Sequence, residues 1–73
     1  SEYPETSFSE EITLIQVQAY YDLAKNSVEE KMAQRIKEAI FACNNFRILF
    51  SNSISNEKVA EMLQELKNLQ NGL

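Results

Sequence analysis

Apolar residues recur every three or four positions along most of the chain, in three segments separated by Asn- and Ser-rich stretches. This spacing is typical of amphipathic α-helices, and the alternation of period two that marks a β-strand is nowhere sustained. The only proline and the only glycine, Pro4 and Gly72, lie near the two ends. The pattern therefore predicts an all-α fold with three helices, at about residues 9–25, 27–50 and 55–70.

Capping residues support these boundaries. Ser9 precedes two glutamates, which favour the positive end of a helix dipole, and Ser27 with Glu30 has the S-x-x-E spacing of a capping box. Residues 1–8 are predicted as a flexible lead-in to a single domain at 9–73. Because short turns bring consecutive helices side by side, we expect an antiparallel, up-down-up three-helix bundle or extended helical hairpins.

The middle and third predicted helices each carry one apolar stripe. Both stripes advance in steps of three and four residues, as expected for faces that pack into a core. On the middle helix the stripe contains Val28, Met32, Ile36, Ala39, Cys43, Phe46 and Phe50. On the third helix it contains Val59, Met62, Leu63, Leu66, Leu69 and Leu73. These two stripes are predicted to supply most of the hydrophobic core.

The first predicted helix carries two apolar stripes on nearly opposite sides. The main stripe, expected to face the other helices, consists of Phe8, Ile12, Ile15, Ala19 and Leu23. The second stripe consists of Leu14, Val17, Tyr21 and Ala24. A helix in a monomeric bundle needs only one stripe, so the second is left for a partner. On the middle helix, Phe41 and Ile48 likewise point roughly 160° away from the core stripe, at 100° per residue.

Two interpretations of these surplus apolar residues are open. The first is that they have no partner. The middle helix of a bundle has a wide buried arc that could include some of them in the core, and the others could be the isolated apolar residues that are common on protein surfaces. Alternatively they form a partner-binding face, for which Tyr21 is well suited because amphipathic aromatic side chains are enriched at interfaces. The predicted partner-binding residues are Leu14, Val17, Tyr21, Phe41 and Ile48.

The length of the chain favours the second interpretation. A core in a chain of 73 residues supplies only about 3 to 5 kcal/mol, so additional support is expected. The lone Cys43 cannot close an intrachain disulfide, and the chain has no histidine for a structural zinc site. We therefore expect the fold to be completed by a second copy of the chain, as a dimer or larger oligomer, or by a partner protein.

The charge balance narrows the choice of partner. The chain has seven Lys and Arg residues against eleven Asp and Glu residues, a net charge of −4, which disfavours nucleic acid and anionic membrane surfaces. An alternative function is an oligomeric regulator of nucleic-acid transactions that binds through Lys31, Arg35 and Arg47. We read no signal peptide at the start of the given sequence and no membrane-length apolar run, and a lone cysteine fits a reducing compartment, so a cytoplasmic location is expected.

No residue pattern in the sequence indicates catalysis. Glu57, Glu61 and Glu65 form an i, i+4 ladder on a predicted polar face, and Cys43 lies on a core stripe, where it behaves as a small hydrophobe. There is no glycine-rich loop for phosphate, so no enzyme, cofactor, metal or small-molecule substrate is expected. The sequence instead predicts a small acidic protein-protein interaction module, of the chaperone, immunity or antitoxin, inhibitor or assembly-adaptor type, that acts through an apolar helix face.

Overall fold

Three helices account for most of the chain in this computed structural model, which describes residues 5–72 and the side chains of residues 9–72. The helices are α1 (Glu5–Asn26), α2 (Glu29–Leu49) and α3 (Asn56–Asn71). The predicted all-α class and the number of helices are confirmed. Helix α1 begins at Glu5, four residues before the predicted cap at Ser9. The remainder of the predicted lead-in, at 1–4, lies outside the described residues, as do the side chains of Phe8 and Leu73.

The turn between α1 and α2 is short and is stabilised from the end of α1. The hydroxyl of Ser27 donates a hydrogen bond to the backbone carbonyl of Leu23, at 2.5 Å. The residue that precedes α2 is Val28, whose backbone is extended and whose side chain caps nothing. The predicted capping box at Ser27 is therefore wrong, because the serine hydroxyl bonds backward to α1 instead of forward to α2.

The turn between α2 and α3 is held by side chains and is also tied to α1. The Ser53 hydroxyl accepts a hydrogen bond from the backbone N–H of Ser55 at 3.1 Å and donates one to the carboxylate of Glu10 at 2.5 Å. The side-chain amide of Asn56 donates to the backbone carbonyl of Phe50, at 2.8 Å. These bonds fix the direction in which α3 leaves α2.

All three helices contribute side chains to one hydrophobic core. Its buried members are Val17, Ala24, Ile36, Ala39, Cys43, Phe46, Val59, Met62, Leu63 and Leu66. Phe46 is the largest fully buried side chain, and its ring packs against Phe50 with centroids 5.2 Å apart. The predicted stripes of α2 and α3 are thus confirmed over most of their length. Val28 is an exception, since it is exposed at the start of α2.

Helix α1 packs with the opposite face from the one predicted. Val17 and Ala24, on the predicted second stripe, are 1% and 0% exposed, whereas Ile15, on the predicted main stripe, is 64% exposed. The prediction that the main stripe faces the core is therefore wrong. The two stripes are similar in apolar content, so the spacing of apolar residues within α1 does not decide between them.

A polar contact between α1 and α3 accompanies this packing. The Tyr21 hydroxyl donates a hydrogen bond to the Glu65 carboxylate, and the Lys25 ammonium lies 3.3 Å from the same carboxylate. The hydrogen bond from Tyr21, followed by that from Lys25, holds the pKa of Glu65 below its usual value. Acceptance of the same bond by Glu65 raises the pKa of Tyr21. The polar tip of Tyr21 is thereby satisfied while its ring packs against the core.

The helices form a long, thin body. The Cα atoms extend over 46 × 17 × 14 Å. A single α-helix with its side chains is already about 10 to 12 Å wide. The core is therefore a row of side chains along the length of the molecule, and much of the apolar surface of α1 and α2 lies close to solvent.

Candidate functional site

A groove of about 410 Å³ runs between α1 and α2 on their solvent-exposed side. Its base contains Val17 of the core and the half-buried Ala42, and its walls carry the aromatic side chains of Tyr20 and Phe41. Polar side chains line the remainder, namely Thr13, Gln16, Lys37, Glu38 and Asn45. An apolar base and aromatic walls with a polar margin are typical of surfaces that bind other molecules.

The groove continues into a wider apolar surface. A second depression, lined by Gln16, Ala19, Tyr20 and Leu23, shares two of its residues with the groove. Phe41 is 73% exposed, and Ile48, two turns further along the same side of α2, is 77% exposed. We call this side of α1 and α2 the open face and define it by its large exposed apolar residues: Ile12, Tyr20, Leu23, Phe41 and Ile48. Ile12 shares a side of α1 with Leu23, and Ile48 also lines a separate depression that reaches Asn56 of α3.

The five predicted partner-binding residues are divided between the core and the open face. Phe41 and Ile48 both lie on the open face, in exposed positions. Val17 is buried, so its side chain offers no surface to a partner in this fold. Leu14 and Tyr21 are half-buried and pack against the core cluster. Binding by these five residues stays a prediction, and the structure brings only two of them together as free apolar surface.

Sequence reasoning missed the α1 side of the open face. Ile12 and Leu23 belong to the stripe of α1 that is predicted to face the core, and Tyr20 belongs to neither predicted stripe; all three are exposed. The pair Tyr21 and Lys25 could have identified the side of α1 that faces the other helices. An aromatic hydroxyl and a cation four residues apart can both bind one acidic residue on a neighbouring helix. Glu65 of the predicted acidic ladder is that residue.

The open face carries little net charge, and none of it negative in excess, although the chain as a whole carries −4. The groove holds one cation, Lys37, and one anion, Glu38, and the Glu38 carboxylate is paired with the Arg35 guanidinium at 3.5 Å. Exposed negative charge lies elsewhere, for example at Glu57 and Glu61 on the side of α3 that faces away from the core. The open face can therefore meet a neutral apolar surface without strong charge repulsion.

Cys43 has the environment of a structural residue. Its side chain is fully buried, and burial raises the pKa of the thiol to about 11. The thiolate is the nucleophilic form of cysteine, so the protonated Cys43 is unreactive at neutral pH. Within residues 5–72, no group of three or more Cys, Asp or Glu side chains is arranged to hold a metal ion.

The basic residues of the alternative nucleic-acid hypothesis do not form one patch. Lys31 and Arg35 are four residues apart on the same side of α2, and Arg35 is engaged with Glu38. Arg47 is twelve residues beyond Arg35, which at 100° per residue turns it about 120° away around the helix. A phosphate backbone would contact these side chains poorly as a set.

None of the helices in the described part of the chain combines the length and the apolar character needed to cross a membrane. No protein-family model, curated protein or solved structure matches the chain.

Proposed function

We propose that this chain is a small helical protein-protein interaction module that binds its partner through the open face. The observation that carries the proposal is the exposure of Phe41 on the wall of an apolar groove. Isolated exposed apolar residues are ordinary, but aromatic side chains that line the same apolar groove are typical of interaction surfaces. Tyr20 on the opposite wall adds an aromatic side chain of the kind that anchors protein interfaces.

In the proposed arrangement the helices form an antiparallel, up-down-up bundle. Two contacts between α1 and α3 support it: Glu10 near the start of α1 bonds to Ser53 just before α3, and Tyr21 near the end of α1 bonds to Glu65 within α3. The order of these two contacts along α1 and α3 supports a parallel orientation of the two helices. Helix α3 then covers one side of the α1–α2 pair and leaves the other side, the open face, for a partner.

The proposed biological role is of the chaperone, immunity or antitoxin, inhibitor or assembly-adaptor type. Each of these roles requires a shaped apolar face on a small helical body and no catalytic group. The balanced charges around Lys37 and Glu38 favour a partner surface that is apolar and close to neutral.

Site-specific photo-crosslinking tests the proposal. A benzophenone amino acid placed at position 41, in the cells that make the protein, is expected to give a protein adduct of defined mass. The same amino acid at position 57, exposed on α3 away from the open face, is the matched control and is expected to give none. Absence of an adduct at 41, or equal adducts at both positions, would contradict binding through the open face.

A further inference from the structure

We infer that the occupant of the open face is a second copy of this chain, paired with the first about a two-fold axis. This inference rests on the proposed function, since it names the partner of the same face. In a two-fold pair each copy contributes the same patch, so the patch must be complementary to itself in area, charge and shape.

The exposed apolar area of α1 and α2 on the open face approaches what a stable dimer needs. Its five large apolar residues expose between 40 and 77% of their surface, which amounts to about 550 Å² at roughly 200 Å² per fully exposed large side chain. Homodimer interfaces are about 65% apolar, so this apolar area implies a total of about 850 Å² per copy once the polar margin is included. Standard protein interfaces bury about 800 Å² per partner.

The distribution of charge also favours a second copy over a charged partner. Two chains of net charge −4 can associate only through a face that keeps their negative groups apart. On the open face Lys37, Arg35 and Glu38 leave an excess of only one positive charge, while the exposed Glu57 and Glu61 lie on the far side of α3. A basic partner would be drawn to α3, so the near-neutral open face is left for a surface like itself.

The open face has both a projecting side chain and a hollow that can receive the same side chain from another copy. Phe41 projects from α2, and the groove beside it is an apolar hollow with Tyr20 on its other wall. In a two-fold pair the Phe41 ring of each copy enters the groove of the other. The α1 and α2 helices of both copies then form a central four-helix layer, with each α3 on the outside. Such burial adds the apolar contact that a chain of this length lacks as a monomer.

Sedimentation equilibrium of the purified full chain, from about 1 to 200 µM, tests the inference because this range brackets micromolar dissociation constants. The wild-type mass is expected to rise from 8.4 kDa toward twice that value with increasing concentration. Phe41→Asp is expected to weaken association about a hundredfold or more, because it places a charge in the buried centre of the interface. Ile54→Asp, the same kind of change at a residue exposed in the α2–α3 turn, is the matched control and is expected to leave association unchanged.

The outcomes separate this inference from the proposed function. Phe41 is exposed in the single chain, so the variant should keep its helical circular dichroism at low concentration, and Leu23→Asp provides a second test on α1. A wild-type chain that stays at 8.4 kDa throughout, or a Phe41→Asp variant that associates like wild type, overturns the inference. If the wild type is monomeric but position 41 crosslinks to a protein of another mass, the second-copy inference fails and the proposed function stands. If neither association nor crosslinking occurs, both fail.

Discussion

The hydroxyl of Tyr21 on α1 donates a hydrogen bond to the carboxylate of Glu65 on α3, and Lys25 lies against the same carboxylate. This contact joins two helices that are not consecutive in the sequence. It sets the rotation of α1 about its own axis, because Tyr21 can reach α3 only when the side of α1 that carries Val17 faces the core. The exposure of the open face follows from that rotation.

The contact gives the stability of the protein a dependence on pH. The folded-state pKa of Glu65 is lowered, so its contribution is present above the ordinary glutamate value of about 4.3 and is lost as pH falls through the folded value. We therefore expect Tyr21→Phe to lower the melting temperature more at pH 7 than at pH 3. Tyr20→Phe, the neighbouring tyrosine in the groove, is the control, and its effect should not depend on pH. An equal loss at both pH values for Tyr21→Phe would contradict the assignment.

The rotation of α1 can be tested by truncating one side chain on each of its faces. Val17→Ala removes two buried methyl groups and is expected to lower the free energy of unfolding by about 2 kcal/mol. Ile15→Ala removes exposed atoms and is expected to change it by about 0.5 kcal/mol or less. Urea denaturation followed by circular dichroism measures both values. A larger loss for Ile15→Ala than for Val17→Ala would restore the face predicted from the sequence.

The thiol of Cys43 reports the opening of the core. Because burial raises its pKa to about 11, the thiolate fraction at pH 8 is about one in a thousand. We expect labelling by a thiol reagent at pH 8 to be slow in the native protein and rapid in concentrated urea. In Phe46→Leu, which loosens the packing next to the thiol along α2, the labelling rate should rise about tenfold for each 1.4 kcal/mol of lost stability. Rapid labelling of the native wild type would show that the thiol is accessible.

The same thiol should destabilise the fold at alkaline pH. Its pKa is higher in the folded chain than in the unfolded chain, where it is about 8.5, so stability is fully present below that value and is lost as pH rises toward about 11. The expected loss is about 2 to 3 kcal/mol over this window. Cys43→Ala lacks the titrating group, and its stability should fall less between pH 8.5 and 11 when both chains are compared by urea denaturation. Parallel pH profiles would contradict the prediction.

The spacing of apolar residues within each segment predicted the helices and most of the core, but it did not predict the groove of the open face. The spacing of Ile36, Cys43 and Phe46 identified the buried side of α2 because that helix has a single continuous stripe. Helix α1 has two stripes of similar apolar content, and only its contact with α3 decides between them. The groove walls at Tyr20 and Phe41 belong to different helices, so their proximity is a property of the packing that no spacing within one segment contains.

The thin cross-section of the molecule, 17 × 14 Å against a length of 46 Å, has a consequence for how it comes apart. Because the core is a row of side chains, the helices can unfold from the ends of the molecule one turn at a time. A spherical core of the same size would have to open as a whole. Backbone amides should therefore exchange with deuterium in a gradient, fastest near both ends of the molecule and slowest around Ala39, the buried residue at the middle of α2. Local unfolding of the helix ends should therefore precede the unfolding of the whole chain.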